Sequence, residues 1–245
     1  MQKILLTAVN TIYILYLAIL SVVFELSMPF YYVYFKIRKK GLRDDFFRIH
    51  NWMYGRMLVR WSWPYIRSRV KGAENIPEKG PYVIVLNHRS FLDIFFSALV
   101  PVPNQLVVVR NWVFDLILFG WAMRLARYPN IDQTPLNRLR EISREFSKRN
   151  VSFQFYPEGH RSRDGKLQRF RTGAFMIAAD NNLPVIPVCM VGTNEFGSYH
   201  FPYFKPAKIT LEILPPVWPG DFPEELRALK LRKYVEKIYK NYFGE

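Results

Sequence analysis

The sequence predicts an α/β fold, a mixed central sheet flanked by helices, with an N-terminal membrane-associating helical segment. Three observations lead there. From about residue 70 onward, short β-branched runs alternate with longer helical segments, a pattern that builds a sheet covered by helices. Residues 4–24, "ILLTAVNTIYILYLAILSVVF", carry no charge. The chain has 245 residues and a formal net charge of +15, long enough for one sizeable domain with an appendage and of a sign that favours anionic surroundings. We divide it into residues 1–65, the membrane-associating helices, and residues 66–245, the α/β domain.

Taken in order, residues 4–24 as a helix span roughly 31 Å at about 1.5 Å per residue, close to the ~30 Å of a hydrocarbon core. The run is too long for a signal peptide, and no small-residue cleavage site follows it. Glu25 and Pro29 interrupt, then "FYYVYF" (Phe30 to Phe35) gives way to "KIRKKGLR". Aromatic residues followed by a basic cluster mark a membrane interface on the cytoplasmic side. Two geometries are open: helix 4–24 spans the bilayer, or the two apolar segments form a hairpin dipped into one leaflet. Residues 45–65 mix Trp52, Tyr54, Trp61, Trp63 and Tyr65 with Arg48, Arg56 and Arg60, which suits either an interfacial amphipathic helix or one packed on the domain.

Strands are predicted at "YVIVL" (Tyr82 to Leu86), "QLVVV" (Gln105 to Val109), "VSFQFY" (Val151 to Tyr156), "PVIPVCMV" (Pro184 to Val191) and "KITLEIL" (Lys208 to Leu214). Helices are predicted at Phe91 to Leu99, Trp112 to Met123, Pro135 to Arg149 and Thr172 to Asn181. The C-terminal Pro223 to Phe243 is an amphipathic helix with no readable chemistry.

The chemistry gathers after two of the strands. "NHRSFLD", Asn87 to Asp93, follows the first one, the usual place for a site in an α/β sheet. Ser90 and Asp93 form a capping-box-like helix start, but a helix entry does not call for the imidazole of His88. If the loop bends back, the Asp93 carboxylate reaches the ring, holds one tautomer and supports imidazolium. The other ring nitrogen is then left to take a proton. "PEGHRSRDGKLQRFRTG", Pro157 to Gly173, follows "VSFQFY" and carries five Lys or Arg residues. A solvated basic loop would show the same charge. Its glycines, however, let backbone approach a ligand closely, and Arg161 and Arg163 can grip a phosphate in bidentate fashion. Glu158 is placed to orient those arginines or to hold a ligand hydroxyl.

Other classes fit less well. The single cysteine, Cys189, lies in an apolar strand and excludes intrachain disulfides. With no GxSxG elbow, a nucleophilic hydrolase lacks its nucleophile. A metallohydrolase would have to draw on His88, Asp93, Glu158 and His160 without an HExxH or CxxC pattern. A non-enzymatic, membrane-tethered protein binding anionic lipid is compatible with the charge, whereas no nucleic-acid motif appears.

"NHRSFLD", then "FYPEGHRSRDG", then "LPVIPVCMVGTNE" resemble, in this order and spacing, the motifs of the glycerolipid acyltransferase family typified by lysophosphatidic acid acyltransferases. The resemblance covers about residues 68–215. It implies transfer of a fatty acyl group from acyl-CoA or acyl-carrier protein to a glycerolipid hydroxyl at the cytoplasmic face of a membrane. No metal or cofactor is implied beyond that co-substrate, and the partners are membrane lipids and a lysophospholipid. By resemblance, His88 is the general base and Asp93 orients it. Arg110, where the family commonly has lysine, is the candidate for stabilising the oxyanion. Glu158, Gly159, Arg161 and Ser162 would bind the glycerol phosphate, and Pro187 would help shape the acyl-donor side. Two positions depart from the pattern: His160 stands where threonine is usual, and Gln133 ends "YPNIDQ" where an arginine often contacts phosphate. Arg124 and Arg127 are the nearby substitutes. The acceptor, lysophosphatidic acid or another lysophospholipid or lipid alcohol, is thus left open.

Overall fold

A computed structural model describes residues 2–39, 41–116, 119–162, 166–196 and 204–245. Six strands form one sheet: β1 (Ile66–Lys71), β2 (Val83–Leu86), β3 (Gln105–Val107), β4 (Ser152–Phe155), β5 (Val185–Val191) and β6 (Ala207–Ile213). Their order is β1-β6-β5-β2-β4-β3. All neighbouring pairs are parallel except β5 with β6, so the sheet is mixed. The helices are α1 (Gln2–Lys39), α2 (Arg43–Trp61), α3 (Asp93–Ser97), α4 (Asn111–Phe114), α5 (Gly120–Leu125), α6 (Leu136–Lys148), α7 (Gly173–Asn181), α8 (Thr193–Phe196) and α9 (Arg227–Phe243). The predicted helix Trp112 to Met123 is thus two short helices, α4 and α5.

The central strands are buried on both faces, as "VIVL" of β2 requires. The strand absent from the prediction is β1, "IRSRVK", in which only Ile66 is fully buried. It lies at the edge of the sheet, where charged side chains block further strand pairing and an apolar run is not needed.

The hairpin reading of the N-terminus is overturned, because both apolar segments lie in one helix that runs through Glu25 and Pro29. Contacts on both sides of the proline hold α1 on the rest of the chain. Asn10 Oδ1 accepts the Phe204 N–H (2.7 Å), Tyr13 donates to Ser62 Oγ (2.7 Å), and Ser21 Oγ bonds the Tyr54 hydroxyl (2.7 Å). Beyond Pro29, Phe35 is buried against Phe46 with ring centroids 5.5 Å apart. The opposite face of α1 exposes Ile12, Leu15, Ile19, Val22, Leu26, Phe30, Val33 and Ile37, at the three-to-four-residue spacing of a single stripe. Helix α2 buries Phe46, Phe47, Ile49 and Tyr54, so most of it packs on the domain, while Trp61 and Trp63 at its end are exposed.

Helix α9 enters the centre of the sheet. Pro187 of β5 lies opposite Val85 of β2, and a proline has no N–H to give to the ladder. The Tyr239 hydroxyl repairs the gap, donating to the Val85 C=O (2.6 Å) and accepting from the Val188 N–H (2.9 Å). Tyr239→Phe keeps the ring but strands both backbone groups. We expect a loss of about 1–3 kcal/mol, read as a lower urea midpoint at unchanged m-value.

Candidate active site

Neighbouring parallel strands end at the same edge of a sheet, so the loops after β2, β4 and β3 converge. At the end of β2 the Asn87 side chain extends the ladder. Its Nδ2 donates to the Met190 C=O (2.9 Å) and its Oδ1 accepts the Met190 N–H (2.7 Å). This fixes the point where the chain leaves the sheet and His88 begins its turn.

Asp93 is fully buried at the start of α3. Its Oδ2 accepts three hydrogen bonds, from His88 Nδ1 (2.8 Å), the Arg89 N–H (2.7 Å) and the Ser90 N–H (2.8 Å). The carboxylate therefore both caps the turn and holds the ring. With Nδ1 facing a carboxylate, the proton of the neutral ring sits on Nδ1 and the Nε2 lone pair is presented outward. The imidazole lies against Tyr156, centroids 4.5 Å apart, and its side chain is 22% exposed.

The loop after β4 grips the backbone of His88 from both sides. Glu158 Oε1 accepts the His88 N–H (2.7 Å), and the Ser162 N–H donates to the His88 C=O (2.9 Å). The other Glu158 oxygen accepts the Gln168 N–H (2.9 Å). Burial pushes the Glu158 carboxyl up to about 7, opposed by the Gln168 and His88 N–H groups. Gly159 has φ +76°, and a Cβ there would come within 2.5 Å of Arg171 Nε, so only glycine admits that guanidinium.

A cavity of about 930 Å³ opens beside the ring, with His88, Tyr156, Gly159, Arg110, Arg161 and Arg171 on its wall. Phe95, Trp112, Val113, Phe119 and Met123 supply apolar lining. The Arg161 guanidinium lies 5.8 Å from the Phe91 ring centroid. Arg110 is half exposed and pairs with Asp132 through Nη2 (2.9 Å) and Nε (3.3 Å). The Asn111 N–H and then Arg110 hold the Asp132 carboxyl below its usual range.

Several expectations change. Neither Arg124 nor Arg127 reaches the cavity wall in place of the missing arginine: Arg124 sits over Phe114, and Arg127 pairs with Glu145 at 2.8 Å. Gln133 donates to Asn111 Oδ1 (3.1 Å) and is also off the wall. Pro187 is buried inside the sheet and does not line the cavity. Both Glu158 oxygens are engaged by backbone, and Glu158 is not on the wall of this cavity. Arg163 lies outside the described residues. Cys189 is fully buried and burial pushes its thiol well up, which suits no nucleophile. Among the described residues no three His, Cys, Asp or Glu side chains form a metal-binding group.

Sequence reasoning passed over Tyr156 as a strand residue and Arg171 as part of a charge run. It also missed the far end of α9. Arg89 stacks 4.1 Å from the Phe243 ring centroid and lies 3.6 Å from Glu245, which also accepts the Leu167 N–H (2.8 Å). No local signal marks a contact between residues so far apart in sequence.

A family model described as Acyltransferase matches residues 67–191, about half of the chain, and the chain belongs to this family. A crystal structure of the 1-acyl-sn-glycerophosphate acyltransferase PlsC from Thermotoga maritima superposes with a TM-score of 0.73 at 28% identity, over 98% of this chain and 97% of that one. A mouse 1-acyl-sn-glycerol-3-phosphate acyltransferase alpha is 30% identical over 174 residues, 67% of this chain and 60% of its own length. A chloroplastic 1-acyl-sn-glycerol-3-phosphate acyltransferase of Brassica napus is 34% identical over 142 residues, 54% of this chain. The chain spans 40% of the length of that Brassica relative.

The Glu158 carboxyl has a testable consequence for stability. Because its folded value lies above the ordinary glutamate value of 4.5, the native state holds more protons between about 4.5 and 7. Stability then falls as pH rises through that window, by about 3 kcal/mol, and is flat above it. Glu158→Gln should be less stable at pH 5 and lack this pH-dependent component, measured as urea unfolding of both proteins at pH 5 and pH 8.

Proposed function

We propose that the protein transfers a fatty acyl group from acyl-CoA or acyl-carrier protein to the hydroxyl of a lysoglycerolipid, 1-acylglycerol-3-phosphate first among them, giving phosphatidic acid. The observation that carries this reading is the His88–Asp93 pair (2.8 Å) on the wall of a cavity that also presents Arg161 and Arg171. The names of the relatives point to the same reaction.

In this reading His88 Nε2 takes the proton of the acceptor hydroxyl as its oxygen attacks the thioester carbonyl. The C–O bond forms, the C–S bond breaks on collapse of the tetrahedral intermediate, and the imidazolium returns its proton to the leaving thiolate. Asp93 supports the imidazolium charge. Arg110 is the wall's donor toward the oxyanion, on exchanging its Asp132 partner. Arg161 and Arg171 meet the phosphate. Glu158 and Ser162 act one step back by holding His88, and Gly159 by admitting Arg171. The apolar lining takes the acyl chain, and no resident metal or cofactor enters the reaction.

Residues 1–65 serve to hold the 66–245 domain on the cytoplasmic side of a membrane. The window of α1 from Thr7 to Arg38 is apolar enough to cross a bilayer and is 11% buried. Its inner face, however, is bonded to the domain from Asn10 to Phe35, so we place α1 along the membrane with its apolar stripe in one leaflet.

The first test is acceptor-dependent CoA release from palmitoyl-CoA in detergent micelles, with and without lysophosphatidic acid. His88→Ala should lower it by about 10²–10⁴-fold. Release that ignores the acceptor, or that survives this substitution, would count against the reaction and the base; lysophosphatidylethanolamine in place of the phosphatidate resolves the headgroup. Separately, Leu26→Asp with Phe30→Asp should remove most co-flotation with anionic phospholipid vesicles, while leaving the circular dichroism spectrum unchanged.

A further inference from the structure

A second recess, of about 480 Å³, adjoins the active-site cavity and shares His160 and Arg171 with it. Arg169 and, from α9, Arg232 complete its basic wall. Among the described residues neither Arg169 nor Arg171 pairs with a carboxylate. Arg232 is 6% exposed; its Nη1 donates to the Phe170 C=O (2.8 Å), and the Glu236 carboxylate stays 3.9 Å away. The backbone carbonyl places this guanidinium without neutralising it. Among the described residues the one carboxylate on the recess wall is Glu158, and its two oxygens are taken by the His88 and Gln168 N–H groups. Three guanidinium groups thus line a recess that supplies them with no close anion. A shielded cation without a close partner is costly, and the planar guanidinium fork matches the oxygens of a phosphate.

The reach of the recess selects which phosphate. Its near wall is Glu158, bonded to the His88 backbone. Its far wall is Arg232, which shares α9 with Phe243 and lies about 16 Å from it along the helix axis, at about 1.5 Å per residue. Phe243 is the ring stacked on Arg89, next to His88. The phosphate of a lysolipid is only a few bonds from the hydroxyl being acylated, so it stays with Arg161 and Arg171 beside the base. A phosphopantetheine arm is longer. At about 3.5 Å per three bonds of extended chain, its roughly a dozen bonds carry the terminal phosphate about 15 Å from the thioester carbonyl.

We infer that the recess binds the phosphate at the end of the acyl donor's phosphopantetheine arm, with Arg169 and Arg232 on its oxygens and Arg171 shared with the acceptor side. The inference rests on the acyl-transfer reading above and specifies how its donor is held. Coenzyme A, which adds further phosphates, and a carrier protein, which presents the arm on a phosphodiester, both offer this group.

The test compares palmitoyl-pantetheine, palmitoyl-4′-phosphopantetheine, palmitoyl-CoA and palmitoyl-acyl-carrier protein as donors to saturating lysophosphatidic acid. We expect palmitoyl-4′-phosphopantetheine to exceed palmitoyl-pantetheine in kcat/KM by about tenfold, chiefly through KM, the worth of a charge-assisted hydrogen bond. Arg169 is exposed, so its substitution spares the core. Arg169→Gln should bring the ratio near one, and Arg169→Lys, which keeps the charge, should recover part of it, as a misfolded protein would not. Given that ratio, palmitoyl-CoA ahead of the carrier protein identifies coenzyme A as the source of the phosphate, and the reverse order identifies the carrier protein. Equal use of the two small thioesters overturns the inference and leaves acyl transfer standing. So does a ratio that survives Arg169→Gln, or a variant that raises KM for lysophosphatidic acid in place of the donor. No turnover from any donor overturns the acyl-transfer reading instead. Calorimetric titration with CoA and with pantetheine then still decides the site: equal CoA affinity in wild type and Arg169→Gln sinks it, and a loss of about tenfold upholds it.

Discussion

The site depends on one residue being held by its backbone. His88 has its N–H bonded to Glu158 and its C=O bonded by the Ser162 N–H, so the loop after β2 cannot move independently of the loop after β4. Asp93 then fixes the ring relative to that backbone. This grip has a cost. A carboxylate that accepts two backbone N–H groups favours ionisation, while burial of the same group favours the neutral acid, and the balance leaves Glu158 near neutrality. A looser arrangement would spare the desolvation but let the imidazole wander.

The sheet beneath is pinned by side chains that stand in for backbone. Asn87 adds a rung between β2 and β5, and Tyr239 replaces the one that Pro187 withholds. Both repairs fall on the two strands whose geometry decides where His88 emerges. Helix α9 is thereby tied twice to the site, through Tyr239 under the sheet and through Phe243 and Glu245 against Arg89. A residue next to His88 thus depends on the far end of the domain.

What the sequence made legible follows from how local each feature is. Buried strands such as Val83–Leu86 announce themselves by β-branched runs, and the His88–Asp93 contact spans five residues, so both could be read. Edge strand β1 could not, because its charged side chains obey solvent on both faces. Continuation of α1 through Pro29 was also hidden, since a lost helical bond is offset by packing of Phe35 on Phe46, a tertiary fact. Glu158 was read as orienting the arginines or holding a ligand hydroxyl, and its partners, the His88 and Gln168 N–H groups, are backbone amides that composition does not reveal. Arg171 was hidden in a charge run, and only the positive φ of Gly159 shows why it can close on the cavity.

Helix α1 and the cavity meet through Glu25. Glu25 of α1 lines the cavity and lies 3.4 Å from His50 of α2, while Leu26 and Phe30, a step along the same helix, face outward. One side of α1 therefore contributes to the cavity wall and the other presents an exposed apolar stripe. In the proposed reading, with α1 seated in one leaflet, this arrangement would set the depth at which the cavity meets lipid substrates. An ionisable Glu25 on an otherwise apolar helix is tolerable only because it turns inward to an imidazole. The charge that seemed to interrupt the helix marks the face that packs on the domain rather than the exposed one.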